Sequence, residues 1–450
     1  MERLKGIIGS GKVSTERADL LCYGFDASKI KKPPSAVVWA EDITDVVKLT
    51  KFAYENDLPI IPRGAGTSTT GSAVPVDNAI VLSLERMDRI LEIDTDNLFV
   101  MVEPGVINGR LQKELGIKGF FYPPDPASMD FCTIGGNVAV NAGGPRAIKY
   151  GVTGDYVQYL EAVLPDGRVI EAGVRTKKGV VGYDLKSLLV GSEGTLAIIT
   201  KIGLRILPEP ETVITLLAFY SSLRKATETV PRIISQKVIP RTLEFMDRRT
   251  IEAIESYNPS GLKDAEAVLL IELDGPVKTV QRETERVVDI CNRMGASVEV
   301  ADDSITQQKI WATRRAISPA LYHISPTKIN EDIVVPVTGI PDIIEFLEQL
   351  SQRYKIPIAS FGHAGDGNIH VNIMVDKKDQ KQYEKALSMV KEIFQETLKL
   401  GGTISGEHGV GLTKADYIDM EIHNNEMDLM KGIKRLFDHK MILNRGKVFP

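Results

Sequence analysis

The sequence predicts an α+β fold divided into two domains of different character. Residues 60 to about 205 are dense in short β-rich segments and glycine, whereas from Ile214 onward longer amphipathic helices alternate with strands. A chain of 450 residues is too long for a single core, so two or three domains are expected. The segment Pro208-Glu209-Pro210 lies where the pattern changes, and we place the domain boundary there.

The first clear elements are a strand, a helix and a second strand. Residues 36–40 form a short apolar run that is typical of a strand. Asp42 or Thr44 can cap a helix whose apolar residues recur with helical period as far as Ala53, and the chain becomes extended again over 58–61.

The second half of the chain has longer elements. Predicted helices cover 277–294, 341–354 and 379–400, with a last helix near 426–438, and predicted strands cover 267–271 and 356–360. Gly401 and Gly402 end the third of these helices, because glycine is favoured just after a helix C-terminus.

Composition excludes several classes of protein. The formal net charge is −5 and the sequence has no basic block, so nucleic acid is not an expected partner. Cys22, Cys132 and Cys291 are far apart and odd in number, which argues against a disulfide framework, an iron–sulfur cluster and a zinc ribbon. We therefore expect a reducing, cytoplasmic environment.

Membrane association is expected to be indirect at most. Residues 1–6 lack the apolar core of a signal peptide, and no apolar run approaches the roughly 20 residues that a membrane helix needs. The sequence predicts no transmembrane segment, so any contact with membrane electron carriers would go through a partner.

A glycine-rich segment over 62–71 directly follows an extended apolar run. Glycine lets the backbone approach an anion closely, and successive N–H groups with the hydroxyls of Thr67 and Ser68 are suited to a diphosphate. The segment is not the dinucleotide fingerprint of doubly wound folds, which needs Gly-x-Gly-x-x-Gly at the start of a helix.

Further glycine-rich segments follow at 123–128, 133–144 and 182–200. Small residues and amides spread over this length favour a large flat ligand that lies along the backbone. A turn-rich β-domain without a ligand explains the same pattern equally well, so these segments alone do not decide between the two.

Two other glycine-framed segments hold half of the six histidines, namely His363, His370 and His408. Two imidazoles with the carboxylate of Glu407 suit a divalent metal that keeps positions open for a substrate, and His408 beside it suits a proton-accepting base. Alternation along the strand puts His370 and Asn372 on one face, opposite the core face. The competing interpretation, exposed histidines in turns, accounts less well for four such groups in two segments.

Taken in order, these segments resemble the flavin-binding family that includes vanillyl-alcohol oxidase. They are most similar to its branch of D-lactate dehydrogenases, glycolate oxidase catalytic subunits and D-2-hydroxyglutarate dehydrogenases, from about residue 30 to the C-terminus. The resemblance implies a two-lobed FAD-binding domain over 1–208, an α+β cap domain with the substrate and metal site over 209–415, and a segment over 416–450 that returns to the first domain. No histidine precedes His323, so noncovalent FAD is expected.

The resemblance also implies roles for particular residues. The cofactor-binding residues would be Pro62, Arg63, Gly64, Ala65, Gly66, Thr67, Ser68, Gly71, Pro124, Asp125, Ser128, Gly135, Gly136, Asn137, Asn141, Gly143, Gly151, Gly194, Ile199 and Asn444. The metal ligands would be His363, His370 and Glu407, with His408 as the base. Arg314, in the segment Trp311-Ala312-Thr313-Arg314, would bind the substrate carboxylate, and Asn372 would contact the substrate or the flavin.

Two departures from the family pattern bear on these roles. The usual Asn-Pro-Gly-Lys near the C-terminus is replaced here by residues 444–447, which keep Asn444 and Lys447 but contain Arg445 in place of proline. Lys328 lies near a position where some relatives carry a lysine in the substrate pocket, but its register is not fixed by the sequence.

The activity that the resemblance implies is oxidation of a D-2-hydroxy acid to the 2-oxo acid. D-Lactate is the first choice of substrate, and glycolate or D-2-hydroxyglutarate comes next; zinc, iron and manganese all suit the metal site. Electrons would pass to a separate carrier, such as an electron-transfer flavoprotein or an iron–sulfur subunit. The alternatives are a non-catalytic flavin subunit that relays electrons and a non-redox flavoenzyme of the alkyl-glycerone-phosphate synthase type.

Overall fold

A computed structural model describes residues 2–259, 262 and 265–449. The chain forms two compact units. Unit 1 consists of residues 1–143, 152–209 and 407–450, and unit 2 consists of residues 144–151 and 210–406. These units differ from the predicted domain limits over residues 144–151, 209 and 407–415.

Helices and strands are numbered in chain order. The helices are α1 (Glu2–Ile8), α2 (Arg17–Cys22), α3 (Ile43–Asn56), α4 (Asn108–Gly116), α5 (Ile134–Val140), α6 (Ala147–Tyr150), α7 (Leu185–Leu189), α8 (Leu223–Ser235), α9 (Arg248–Tyr257), α10 (Val277–Arg293), α11 (Ser304–Arg315), α12 (Ile317–Ala320), α13 (Ile340–Tyr354), α14 (Gln380–Lys399) and α15 (Asn424–Phe437). The strands are β1 (Val13–Ser14), β2 (Ala36–Trp39), β3 (Ile60–Arg63), β4 (Ile80–Ser83), β5 (Ile90–Asp94), β6 (Phe99–Val102), β7 (Phe120–Phe121), β8 (Val157–Val163), β9 (Val169–Gly173), β10 (Ile198–Arg205), β11 (Leu207–Pro208), β12 (Thr212–Tyr220), β13 (Thr242–Asp247), β14 (Ala267–Gly275), β15 (Ala296–Ala301), β16 (Thr327–Val334), β17 (Ile358–His363) and β18 (Asn368–Val375).

Unit 1 is built on two main sheets. One has the order β1-β2-β4-β3, with β4 parallel to both β2 and β3, and the other is antiparallel with the order β5-β6-β10-β8-β9. The predicted strand–helix–strand start is confirmed, and α3 begins after Asp42 because that side chain accepts hydrogen bonds from Thr44 N and Asp45 N. The buried residues of α3, among them Leu49 and Ala53, pack into the same core as β2 and β4.

Unit 2 is built on a sheet with the order β15-β12-β14-β13-β17-β18-β16. Helices α10, α13 and α14 pack against its strands, and their bounds agree with the predicted helices to within one or two residues. The predicted strand at 267–271 is part of β14, and the predicted strand at 356–360 overlaps β17 over residues 358–360. The predicted last helix is α15, which belongs to unit 1.

Strand β18 carries the predicted alternation, but both of its faces are buried. His370 pairs with Asp332 of β16 and with Phe361 of β17, and Asn372 is the next residue on the same face. Every residue of β18 is buried, on the polar face as well as on the apolar one. Its two edges are covered by β16 and β17. The polar side chains of this face are therefore held in a low-dielectric interior.

Within the described ranges, no helix is both long enough and apolar enough to cross a membrane.

Candidate active site

A cavity in unit 1 is lined by the glycine-rich segments that the sequence analysis selected. Of the predicted cofactor-binding residues, those that line it are Pro62, Arg63, Gly64, Ala65, Gly66, Thr67, Ser68, Ser128, Gly135, Gly136, Asn137, Gly143, Gly194, Ile199 and Asn444. Residues that the sequence analysis did not select also line it, and they include Thr69, Pro104, Thr133, Ala142, Glu193 and Ile198. Most of these are small or apolar residues in loops, which carry no chemical signal of their own.

Five predicted cofactor residues do not line this cavity. Gly71 lies beside Leu412, and the carbonyl oxygen of Pro124 accepts from Asn108 Nδ2 at 3.2 Å; Asp125 comes next in the chain, directly before lining residues 126–128. Asn141 is the C-cap of α5, and its Oδ1 accepts from Gly154 N at 2.7 Å. Gly151 belongs to unit 2.

Two of the glycine-rich segments touch each other at Gly64. A Cβ atom at Gly64 would lie 2.2 Å from Thr133 Oγ1, far inside van der Waals contact. That hydroxyl oxygen is also the cap of α5, where it accepts from Gly136 N at 3.1 Å. Glycine at position 64 therefore allows the first loop to lie against the start of α5.

Buried polar atoms on the cavity wall test whether the residues fit FAD. In the described part of the chain, Thr69 Oγ1 and Asn137 Nδ2 are buried and make no hydrogen bond to protein, and both residues line the cavity. Leaving such a group unsatisfied costs about 1–3 kcal/mol, which favours a polar ligand over an empty apolar cavity. FAD offers phosphate, hydroxyl and ring atoms of both donor and acceptor type, so the wall fits it.

Glu193 holds the segment that follows His408 within unit 1. Its buried carboxylate accepts from Val410 N at 2.7 Å and from Gly411 N at 2.9 Å, and also from the hydroxyl of Ser72. Burial raises the pKa of Glu193, against the effect of these hydrogen bonds. Glu407 and His408 are fixed next to this anchor and line the same cavity.

The C-terminal residues reinforce the same part of unit 1. Asn444 Nδ2 donates to Ser72 O at 3.0 Å and to Glu193 O at 2.6 Å, and Lys447 Nζ donates to Val74 O at 2.6 Å. These hydrogen bonds hold Asn444 and Lys447 in place, although Arg445 replaces the proline of the family pattern.

His363 and His370 face each other on the polar face of the unit 2 sheet. Their Nε2 atoms are 3.4 Å apart and their rings are nearly perpendicular, with an interplanar angle of 88°. Two nitrogen ligands each about 2.0–2.1 Å from a tetrahedral zinc ion are about 3.4 Å apart. Both histidines are buried, which removes the alternative of exposed histidines in turns.

Glu244 of β13 connects His363 with Arg314. One carboxylate oxygen lies 2.6 Å from His363 Nδ1, and the other accepts from Arg314 Nε at 2.7 Å. Burial raises the pKa of Glu244, but the charge of Arg314 and the hydrogen bonds from Arg314 and His363 outweigh it and lower that pKa overall. Arg314 is 7% exposed and its guanidinium lies over the ring of Phe361, so it is not a helix-surface charge.

Asp332 lies beside His370 and was not singled out from the sequence. Its Oδ1 is 3.8 Å from His370 Nδ1 and accepts from Asn368 Nδ2 at 2.6 Å, while Oδ2 accepts from Gly406 N at 2.9 Å. The cross-strand pairing of β16 with β18 creates this neighbourhood, and sequence spacing carries no trace of it. Asp332 therefore lies on the Nδ1 side of His370, whereas His363 lies on its Nε2 side.

Asn372, the other predicted substrate residue, lies in unit 2, as does Lys328. Asn372 is fully buried, and its Nδ2 donates to the carbonyl oxygens of Ala359 and His370 at 3.3 and 3.2 Å. Lys328 Nζ donates to Ser318 Oγ at 2.6 Å and lies over the ring of Tyr322. Lys328 is therefore held by α12 and its neighbour.

Comparison with known proteins gives two family matches and full-length relatives. Residues 209–448 match the model described as FAD linked oxidases, C-terminal domain, and residues 34–173 match the FAD binding domain. The glycolate oxidase subunit GlcD of Bacillus subtilis is 42% identical over 100% of this chain and 96% of its own length. The D-lactate dehydrogenase of Anaerostipes hadrus is 35% identical over 93% and 90%.

Among solved structures, p-cresol methylhydroxylase with substrate bound aligns with a TM-score of 0.82 over 99% of this chain and 95% of that chain, at 18% identity. At that identity the likeness concerns the fold, which is the two-domain α+β fold of vanillyl-alcohol oxidase-type enzymes.

Proposed function

The chain belongs to the family of FAD linked oxidases, and on that premise we propose that it is an FAD-dependent dehydrogenase of D-2-hydroxy acids. D-Lactate is the first choice of substrate, with glycolate and D-2-hydroxyglutarate next, and the product is the 2-oxo acid. The relatives named glycolate oxidase subunit and D-lactate dehydrogenase support this class of substrate. The observation that carries the chemistry is the pair of histidine Nε2 atoms 3.4 Å apart, which a 2-hydroxy acid dehydrogenase with a Lewis acid would use.

FAD is proposed to bind noncovalently in the cavity of unit 1. The backbone of residues 62–68 would hold the diphosphate, and residues 135–137 and Asn444 would contact the rest. When bound, FAD supplies the acceptor for the hydride that leaves C2 of the substrate. Residues 1–208 contain no histidine that could attach the flavin, and His408, which also lines the cavity, is assigned a different role below.

We propose that His363, His370 and Glu407 are ligands of one divalent cation, with zinc, iron and manganese as the candidates. When bound, the cation would supply a Lewis acid that lowers the pKa of the substrate hydroxyl. Asp332 beside His370 adds an oxygen donor to the same face of unit 2. Imidazole nitrogens with carboxylate oxygens are the donor set that these metals share.

The proton and the substrate are proposed to be handled by His408 and Arg314. His408 would accept the hydroxyl proton, as a base beside a Lewis acid. Arg314 would bind the substrate carboxylate, and since Glu244 occupies its Nε side, the Nη1 group is the one directed to the substrate. Asn372 would contact the substrate from the neighbouring strand.

Two electrons must leave the enzyme in each turnover, and we propose a separate carrier for them. The relative from Bacillus subtilis is itself named a subunit, which supports a partner. An electron-transfer flavoprotein, an iron–sulfur subunit or a quinone-linked protein would serve. Cys132 and Cys291 are buried and far apart in the sequence, so they do not suggest an internal cluster.

Two other functions compete with this one. A flavin subunit that only relays electrons has no use for two buried histidines whose Nε2 atoms face each other, which disfavours that function. A non-redox flavoenzyme of the alkyl-glycerone-phosphate synthase type has the same fold, so the fold does not separate it from a dehydrogenase.

Anaerobic reduction of the flavin separates these possibilities. D-Lactate added to the FAD-loaded, metal-replete protein should bleach the visible flavin band, and L-lactate should not. Treatment with a chelator should stop the bleaching, and added zinc or manganese should restore it. If D-lactate, glycolate and D-2-hydroxyglutarate all leave the flavin oxidised, the proposed function is wrong.

A further inference from the structure

Glu244 is a charged residue at a buried strand position where neither the fold nor the core needs a charge. Its side chain is completely buried in β13, near the middle of the unit 2 sheet. Its two partners come from separate elements, His363 at the end of β17 and Arg314 near the end of α11. Burying a carboxylate costs several kcal/mol unless it is paired. The two partners therefore offset the cost of burying Glu244, and the carboxylate in turn holds the two partners.

The contact with His363 sets which ring nitrogen carries the proton. An ionised carboxylate only accepts hydrogen bonds, so the Nδ1 atom 2.6 Å from Glu244 must be the protonated one. In neutral imidazole the other nitrogen then carries the lone pair, and that nitrogen is Nε2, which lies 3.4 Å from His370 Nε2. A carboxylate on the far nitrogen is the usual means by which proteins orient a metal-binding histidine.

We infer that Glu244 is a positioning residue that acts on two groups at once: it fixes His363 with Nε2 as the metal-binding atom, and it holds the guanidinium of Arg314 for the substrate carboxylate. The inference rests on the proposed function and deepens it, because it couples cation binding to substrate binding through one side chain. The two contacts are made by different oxygen atoms, so both are available together.

Replacement of Glu244 by glutamine is a sharp test, because the side chain keeps its shape while one carboxylate oxygen, a hydrogen-bond acceptor, becomes an NH2 donor. Arg314 can only donate hydrogen bonds, so it should attract the oxygen of the new amide group. The amide nitrogen is then left facing His363 Nδ1. An N–H group directed at Nδ1 favours the tautomer with the proton on Nε2, and that tautomer cannot bind a cation through Nε2.

The matched control is Glu272→Gln in the neighbouring strand β14. Glu272 is also a buried glutamate of this sheet, and it accepts from Trp311 Nε1 at 2.6 Å and from Thr215 Oγ1 at 3.0 Å. Neither of these partners is a histidine. If the absence of a buried carboxylate alone lowers cation affinity, the affinity should fall in both variants. If the contact with His363 is the cause, the affinity should fall in Glu244→Gln alone.

The first measurement is the tautomer of His363 in the FAD-loaded, metal-free protein. Ring-15N histidine labelling gives signals from only six histidines, and His363→Gln assigns the one of interest. We expect the proton on Nδ1 in the wild type and in Glu272→Gln, and on Nε2 in Glu244→Gln. A wild-type His363 protonated on Nε2 alone would overturn the inference without any reference to activity or to the folding of a variant.

The second measurement is the affinity for Zn²⁺ or Mn²⁺ by calorimetry on the same FAD-loaded proteins. Glu244→Gln should bind the cation about 10–100-fold more weakly than the wild type, the range seen when such orienting partners are removed. Its KM for D-lactate should also rise, because the ion pair that holds Arg314 is replaced by a weaker hydrogen bond to a neutral amide, while Glu272→Gln should change neither value. If the wild type binds no cation, the proposed metal site fails; if it binds and Glu244→Gln binds equally well, only the positioning role fails.

Discussion

Each unit contains a buried glutamate that fixes functional residues, but the two glutamates have opposite surroundings. Glu193 in unit 1 accepts hydrogen bonds from two backbone N–H groups and a hydroxyl, and its pKa is raised by burial. Glu244 in unit 2 meets the guanidinium of Arg314 and the imidazole of His363, and its pKa is lowered because the charge of Arg314 and the hydrogen bonds from both residues outweigh burial. One glutamate orders backbone, and the other orders reactive side chains.

The difference reflects what each unit has to recognise. The cavity of unit 1 is formed by loops in which glycine and small residues expose the backbone, an arrangement suited to a long ligand with many weak contacts. The polar face of unit 2 sits on paired strands, which hold a few side chains in fixed directions. Substitutions in unit 1 should therefore act through shape, and substitutions in unit 2 through the identity of single atoms.

The largest effect expected from a single side chain comes from His408. Unlike the loops of unit 1, which expose backbone, His408 presents a reactive side chain. His408→Asn should lower the rate of flavin reduction by D-lactate about 10²–10⁴-fold, because the proposed base is lost. FAD content should stay at the wild-type value, since the anchor at Glu193 is untouched. The control is His423→Asn, which changes a histidine of the same unit that does not line the cavity.

Stopped-flow absorbance under anaerobic conditions measures that rate. If the flavin of His408→Asn is reduced by D-lactate at the wild-type rate, His408 is not the base of the proposed mechanism. Loss of FAD from this variant would instead mean that the side chain of His408 contributes to the shape of the FAD cavity, as its neighbours in unit 1 do.

A smaller but still clear effect is expected when the shape of the unit 1 cavity is changed at Gly64. Gly64→Ala places a Cβ atom where only 2.2 Å separates it from Thr133 Oγ1, so the loop or the cap of α5 must shift. Overpacking of this kind costs about 1–3 kcal/mol, and if most of it falls on the bound form, FAD affinity should drop about 10–100-fold. Cation affinity should change much less, because none of the proposed ligands is in the loop that contains Gly64.

Gly432→Ala is the matched control for Gly64→Ala. Gly432 lies in α15 of the same unit, and a Cβ atom there meets nothing within 4 Å. The FAD affinity of this control, measured by fluorescence titration of the apoprotein, should equal that of the wild type. Equal affinity in Gly64→Ala would contradict the view that unit 1 recognises its ligand by close approach of backbone.

The sequence predicted the elements and the glycine segments because both depend on local patterns. Helix α10 has apolar residues at helical spacing, and the loop over 62–68 is marked by glycine after an extended run. The histidines of β17 and β18 were found for a similar reason, since the chemistry of His363 and His370 is rare enough to stand out among six histidines.

The residues that position these groups were missed because their partners are remote in the chain. Glu244 lies 119 residues from His363, and Glu193 lies 217 residues from Val410. A single glutamate in an apolar strand or in a glycine-rich turn looks like many others, and only the pairing of strands or the packing of loops gives it a role. Asp332 became visible for the same reason, through its cross-strand partner His370.

The last effect expected is a change in the pH dependence of stability, and it tests how unit 1 buries a charged group. Burial lowers the pKa of Lys447 in unit 1 to about 8, outweighing the carboxylates of Asp26 and Glu193. Between pH 8 and pH 10.5 the unfolded chain therefore binds a proton that the folded protein has released, so the free energy of unfolding rises with pH across this window. At about 1.4 kcal/mol for each pH unit, the rise amounts to roughly 3 kcal/mol.

Lys447→Met removes the titrating group while keeping a long side chain, so the variant should lack this rise even if its stability at neutral pH differs. Urea unfolding of the FAD-loaded proteins at several pH values, from about 7.5 to about 10.5, gives the two slopes. Parallel profiles would mean that Lys447 keeps its proton in the folded state throughout. In that case unit 1, like unit 2, would stabilise a buried cation through its carboxylates, and the contrast drawn from Glu193 and Glu244 would not extend to the C-terminal segment.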